Sequence, residues 1–199
     1  TDADLTDEHE ATYTSDNETA LGTFAIGTVS EAADTTGGSV GWTYTLDNAD
    51  AQYLGVGESE IEIFTVELDD GNGSTTTQNV TITIAGTNDV VLVTPGVQQG
   101  TVTEDTAPGS ANGSILFTDA DLTDEHEATY TSDNDTALGT FALGTVSEAA
   151  DTTGGSVGWS YTLDNADAQY LGVGESEIEI FTVQLDDGNG STTTQNVTV

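Results

Sequence analysis

The sequence predicts an all-β protein of tandem antiparallel β-sandwich domains, on three observations. Apolar residues alternate with small polar ones: Val40, Trp42, Tyr44 and Leu46 are separated by Gly41, Thr43 and Thr45, the period of two that belongs to a strand with one buried face. Such stretches are short and divided by clusters of Gly, Asn, Asp and Ser, the residues that favour turns. Residues 1–82 return as residues 118–199, and a period of 117 residues is too long for a solenoid unit but suits an autonomous domain.

Within each copy only strands are expected. In the first copy they cover residues 11–14, 21–29, 39–46, 61–68 and 80–84, each bounded by turn-forming residues. In the segment 61–68, Phe64, Val66 and Leu68 share one face while Ile63, Thr65 and Glu67 take the other. The absence of helical periodicity over about 115 residues favours the sandwich. Trp42 and Trp159 are expected in the core, and Ser74-Thr75-Thr76-Thr77 is expected to be a hairpin.

The two copies differ only at Glu18/Asp135, Ile26/Leu143, Thr43/Ser160, Glu67/Gln184 and Ile82/Val199, all conservative changes. The repeat is out of phase with the domain. Residues 83–117 occur once and read as a last strand, a short linker near Asn88, and the opening strands of the second copy. The expected domains are residues 1–87, lacking opening strands, and residues 88–199, nearly complete.

Composition narrows the function. The chain has 199 residues, 36 Asp or Glu and no Lys or Arg, a formal charge of −36. Nucleic-acid binding through basic patches and recruitment to anionic lipid both need Lys or Arg, so neither is expected. Without cysteine there is no disulfide, thiolate zinc site or cysteine nucleophile. No apolar run approaches the roughly 18–20 residues of a membrane span, and no signal peptide is visible, so direct membrane insertion is not expected. A chain so acidic resists its own compaction unless something screens or binds its carboxylates.

Three groups of oxygen-bearing side chains recur where strands should end. One is Thr1-Asp2-Ala3-Asp4, repeated at Asp119 and Asp121, with two carboxylates two residues apart. Another is Asp69-Asp70-Gly71-Asn72-Gly73, repeated at Asp186 and Asp187, and the third is the linker Gly86-Thr87-Asn88-Asp89. Hard oxygen donors on Gly-containing loops, without thiolates, suit Ca²⁺, which takes six to eight oxygens in irregular geometry. The Asp70 segment lacks the spaced ligands and closing Glu of an EF-hand.

These residues carry a resemblance. The segment 102–121, VTEDTAPGSANGSILFTDAD, is similar to the opening of a cadherin domain: an early Glu, a Pro-Gly turn, a strand, then Asp-Ala-Asp. The segment 68–90, LDDGNGSTTTQNVTITIAGTNDV, is similar to a cadherin ending. With near-identical copies and no Lys or Arg, the whole chain most closely resembles the cadherin-like, VCBS-type repeats of giant bacterial repeats-in-toxin adhesins. The resemblance implies tandem Ig-like (cadherin-like) sandwiches with Ca²⁺ held at domain junctions. Carried over residue by residue, it assigns Asn88 and Asp89 from the linker, Asp119, Asp121 and one of Asp186 or Asp187 from the lower domain, and Glu58 or Glu60 from the upper one. Asp2 and Asp4, with Asp69 and Asp70, are the first copy's counterparts, and Glu104 is the opening-strand Glu of a further half-site with Glu175 and Glu177. The implied protein is an extender region at the bacterial cell surface, secreted by a type I route. Its partners are neighbouring repeats, and its distal ligand is bound by other domains of the parent protein.

No enzyme is expected: nucleophile-elbow and zinc-helix motifs are absent, and near-identical duplication favours a mechanical part. His9 and His126, each in Asp-Glu-His-Glu, are expected to be exposed loop residues. The competing function is a calcium-dependent carbohydrate-binding module in which Tyr13, Tyr44 or Tyr53 stacks on a sugar; ice binding lacks the flat Thr arrays it requires.

Overall fold

Strands form where the period-two pattern lies. The computed structural model describes residues 4, 6–32 and 36–199. In chain order the strands are β1 (Glu10–Ser15), β2 (Gly22–Glu31), β3 (Gly38–Leu46), β4 (Ser59–Asp69), β5 (Thr75–Ala85), β6 (Leu92–Val93), β7 (Gln98–Gln99) and β8 (Ser110–Thr118). There follow β9 (Glu127–Ser132), β10 (Gly139–Glu148), β11 (Gly154–Leu163), a short helix α1 (Asn165–Ala168), β12 (Ile180–Asp186) and β13 (Thr192–Thr198). The threonines 75–77, expected in a hairpin, form the returning arm of the β4–β5 hairpin, with Thr75 opposite Asp69, while the Gly-rich residues before them make its turn. The chain forms two compact units, Thr1–Gly86 and Thr87–Val199.

The second unit is a two-sheet sandwich of Ig-like order. One sheet runs β10-β11-β8-β6 and the other β7-β13-β12-β9, and all pairings are antiparallel except β7 with β13. The opening of this unit therefore contributes to both sheets, β6 to one and β7 to the other. Alternate residues of β11, Val157, Trp159 and Tyr161, are buried while Gly158, Ser160 and Thr162 are exposed. They meet Val183, Leu185 and Phe181 of β12 across the core, where Phe141 and Phe181 stack with ring centroids 4.3 Å apart.

The first unit repeats part of this plan, with one sheet β1-β4-β5 and a two-stranded sheet β2-β3. Its core is split into a cluster around Phe24, Phe64 and Val66 and another around Leu21, Leu54 and Ile84. On β4 the expected apolar face of Phe64, Val66 and Leu68 is extended by Glu62, which is buried and accepts a 2.5 Å hydrogen bond from the Leu21 N–H. Its counterpart Glu179 accepts from the Leu138 N–H at 3.0 Å and from the Tyr161 hydroxyl. Trp159 is 3% exposed, as expected for core, but Trp42 is 49% exposed. The cause is the neighbouring strand: β8 covers β11 in the second unit, and no described strand covers β3 on that side in the first.

Candidate metal centre

The site is built from two loops and a linker of the second unit. Where β8 ends, Asp119 is held by a 2.8 Å hydrogen bond from its N–H to the Thr153 carbonyl, and the Asp121 N–H donates to Asp119 Oδ1 at 3.1 Å. The local turn folds both carboxyls inward, leaving Asp119 5% and Asp121 2% exposed. Asp124 joins them: one carboxylate oxygen from each of Asp119, Asp121 and Asp124 lies within 4.8 Å of the others. Two oxygens on one Ca²⁺ at about 2.3–2.6 Å are at most about 5 Å apart, so this spacing fits a shared ion.

The turn between β12 and β13 supplies Asp187, 1% exposed. Its Oδ1 accepts from the N–H groups of Asn189, Gly190 and Ser191 at 2.8, 2.9 and 2.9 Å. The turn needs positive φ at Gly188 (77°) and Gly190 (115°), which glycine adopts without a Cβ penalty. Asp186, by contrast, is exposed and accepts from the Gly188 N–H at 2.8 Å, so it shapes the turn. The linker completes the arrangement: Asn88 Nδ2 donates to Asp187 Oδ2 at 3.0 Å, and the Asp89 N–H donates to Asp121 Oδ2 at 2.6 Å. Asn189 Nδ2 donates to Asp124 Oδ1 at 2.8 Å.

After these bonds are made, three buried oxygens of this site have no hydrogen-bond partner, Asn88 Oδ1, Asp121 Oδ1 and Asp124 Oδ2; the others among the described residues are the Tyr44 hydroxyl and Glu62 Oε2 in the first unit. Each such acceptor costs about 1–3 kcal/mol when left bare. Burial pushes the Asp121 carboxyl above its ordinary range, partly offset by the Asp89 N–H and reinforced by Asp124, Asp119 and Asp89. Burial likewise pushes Asp124 up, against the Asn189 amide and with the help of Asp119 and Asp187. Asp187 goes the other way: burial raises it, but Asn88 and the N–H groups of Ser191, Asn189 and Gly190 outweigh that and hold it low. The donor set, oxygen-only and strongly anionic, fits a hard divalent cation of irregular coordination.

His126 is not the exposed loop residue expected; its side chain is 3% exposed. Its ring packs on Phe117 at 4.7 Å between centroids, with Nε2 3.1 Å from Asp119 Oδ2 and Nδ1 2.8 Å from Glu148 Oε2. The correction has a physical cause: the imidazole is amphipathic, so it covers Phe117 with its face while its nitrogens meet carboxylates at both edges. His9 makes the corresponding 2.8 Å contact with Glu31. Sequence reasoning missed Asp124, His126 and Asn189; the run Asp119-Ala120-Asp121-Leu122-Thr123-Asp124 carried the signal for the first.

The other assigned residues lie elsewhere. Asp2 falls outside the described residues, and Asp4 is exposed in the first unit. Asp69 and Asp70 sit in the β4–β5 turn, where Asp69 Oδ1 accepts from the Gly71 N–H at 2.7 Å and Asp70 Oδ1 from Asn72 and Ser74 at 2.8 and 2.9 Å. Glu58 bonds the Gly55 N–H at 2.9 Å within the first unit, and Glu60 is exposed at the start of β4. Glu104 accepts from Gln169 at 3.2 Å and lines, with Glu175 and Glu177, a cavity of about 780 Å³ in the second unit. Of the tyrosines weighed for sugar stacking, Tyr13 donates to the Phe24 carbonyl at 2.9 Å and packs on the Phe24 ring. Tyr44 is half-buried against Phe64, and Tyr53 is 36% exposed.

No protein-family model matches the chain, and no curated protein matches it. Among solved structures, one described as zebrafish RET cadherin-like domains 1 to 4 is similar, with a TM-score of 0.43 and 15% identity over 96% of this chain. The chain spans 41% of the length of that structure.

Proposed function

We propose that the second unit binds Ca²⁺ through Asn88 Oδ1, Asp119, Asp121 and Asp124, with Asp89 and Asp187 holding the linker against them. The observation that carries the reading is the set of three buried, unpartnered oxygens on Asn88, Asp121 and Asp124. In a chain of charge −36 without Lys or Arg, no side-chain ammonium or guanidinium exists to neutralise them. An ion of charge +2 supplies both the missing partner and the missing charge. The consequence is mechanical: the same ion fixes Asn88 and Asp89, the residues through which the second unit is entered. Together with the resemblance of the sequence to cadherin-like adhesin repeats, this supports a role as a calcium-stiffened extender of an extracellular bacterial surface protein, with no catalytic activity of its own.

Isothermal titration with CaCl₂ tests the site. The expected dissociation constant is on the order of 0.1–1 mM, the range of extracellular modules, and the Asp121→Asn/Asp124→Asn chain should show no saturable heat. Single-molecule stretching tests the role: the unfolding force of the second unit should rise in calcium and fall in EDTA. Equal forces in both would remove the extender reading while leaving the binding result intact.

A further inference from the structure

The proposed calcium site leans on a residue that is not among its oxygen donors. His126 follows Asp124 by two positions, and its side chain is 3% exposed. Three contacts fix the ring. One face packs on Phe117 of β8, with centroids 4.7 Å apart. Glu148, the last residue of β10, grips the histidine twice: Oε1 accepts from the His126 main-chain N–H at 3.1 Å, and Oε2 meets Nδ1 at 2.8 Å. Nε2 is thereby aimed at Asp119 Oδ2, 3.1 Å away.

Covering Phe117 needs only a ring. Two buried ring nitrogens add a desolvation cost unless each finds a polar partner, so a residue used for packing alone would more simply be apolar. The clamp is also written into the sequence twice. In the first unit His9 and Glu31, likewise 22 residues apart, make the same two contacts at 3.1 and 2.8 Å. The His–Glu pair thus sets the orientation of the ring, and in the second unit the ring so oriented reaches Asp119. That carboxylate is then held at both oxygens, Oδ1 by the Asp121 N–H at 3.1 Å and Oδ2 by His126. A carboxylate has about four lone-pair positions, so each oxygen keeps one for an ion, in a direction that the two contacts determine. Asp121 and Asp124 are held differently, each at one oxygen, by the Asp89 N–H and the Asn189 amide, with the other oxygen bare.

We propose that His126 is a positioning residue of this site, acting through Asp119, and that Glu148 acts through His126 in turn. The inference rests on the calcium reading above and extends it. The side chains of Glu148, His126 and Asp119 form a chain that ties the ion to the end of β10, a strand that supplies no ligand. Outer groups that orient metal ligands in this way typically contribute about 10- to 100-fold in affinity.

Calcium titration calorimetry on the full chain, at constant ionic strength, makes the test. His126→Phe keeps a ring on Phe117 and removes both nitrogens, and its dissociation constant should rise about tenfold or more. His126→Gln, whose amide still reaches towards Asp119, should recover most of the loss, which a packing role would not allow. Glu148→Ala should weaken binding more than Glu125→Ala, the removal of an exposed carboxylate that neighbours both Asp124 and His126 in sequence and controls for lost charge. Europium(III) in place of calcium gives a second readout: its luminescence decay in light and heavy water counts the waters on the ion, and the His126→Phe chain should carry more of them than the parent. A parent chain without saturable calcium heat would remove the calcium reading itself. Saturable binding by the parent, with the same affinity and hydration in a cooperatively melting His126→Phe chain, would overturn only the role of His126. Equal effects of Glu148→Ala and Glu125→Ala would overturn it too, and that comparison holds even where His126→Phe does not fold.

Discussion

At the scale of single residues, the candidate metal centre turns on buried, crowded carboxylates, an arrangement that is unfavourable without a cation. Changing Asp121 to Asn removes a like charge from a buried cluster, so in EDTA the variant should melt no lower than the parent. In calcium at ten to a hundred times the dissociation constant the parent gains about 1.4–2.7 kcal/mol, and the variant should lose that gain. Differential scanning fluorimetry in the two buffers reads this crossing of sign; a variant destabilised equally in both would mark Asp121 as merely structural. A second residue-scale effect belongs to Tyr161. Burial first, then its bond to Glu179, pushes the phenol well above its ordinary value, and Tyr44 is pushed up in the same way. A folded pKa above the unfolded one means that these phenols stabilise fully below about pH 10 and lose that contribution as pH rises further. Absorbance titration near the tyrosinate band should therefore show Tyr44 and Tyr161 ionising only as the protein unfolds. The nearness of Asp119 to Asp121 was legible from their spacing, whereas the turn offered Asp186 and Asp187 alike, and only burial in the fold separates them. Asp124 was not legible, because its part depends on a loop closing back on Asp119 and on an amide from Asn189 in a distant turn.

At the scale of elements, nearly identical strands in two surroundings separate what the sequence encodes from what a neighbour adds. The alternation in 39–46 was sufficient to predict a strand, since one buried face needs only a period of two. It did not predict which tryptophan would be covered, because cover comes from β8, a segment present once. Glu62, on β4, and Glu179, just before β12, were similarly hidden: a charged residue there reads as outward until the Leu21 or Leu138 N–H is seen to require an acceptor. The asymmetry has a measurable consequence. Trp159→Ala removes a buried indole and should cost about 3–5 kcal/mol, whereas Trp42→Ala, from a half-exposed site, should cost less than half as much. Urea denaturation of the two variants, followed by far-UV circular dichroism, makes the comparison, and equal losses would mean that Trp42 is covered in solution.

At the scale of the whole molecule, charge governs stability before any specific site does. With 36 acidic side chains and no Lys or Arg, the folded chain concentrates repulsion that the unfolded chain dilutes. Two cation effects follow, and they differ in kind. Monovalent salt screens all carboxylates alike; the screening length falls from about 30 Å at 0.01 M to about 3 Å at 1 M, so the melting temperature should climb smoothly with NaCl over that range. The proposed calcium binding at one cluster would be a mass-action effect that saturates. At constant ionic strength near physiological, about 0.15 M, millimolar CaCl₂ should add a further, saturating rise. Magnesium should not match it, because it demands near-ideal octahedral geometry and gives up its water reluctantly, whereas the convergent carboxylates of Asp119, Asp121 and Asp124 come from one irregular loop. A rise of the same size in both salts would reduce the calcium effect to divalent screening and leave the three unpartnered oxygens unexplained. A rise specific to calcium and abolished by Asp121→Asn would tie the thermal behaviour of this acidic chain to one buried cluster in its second unit.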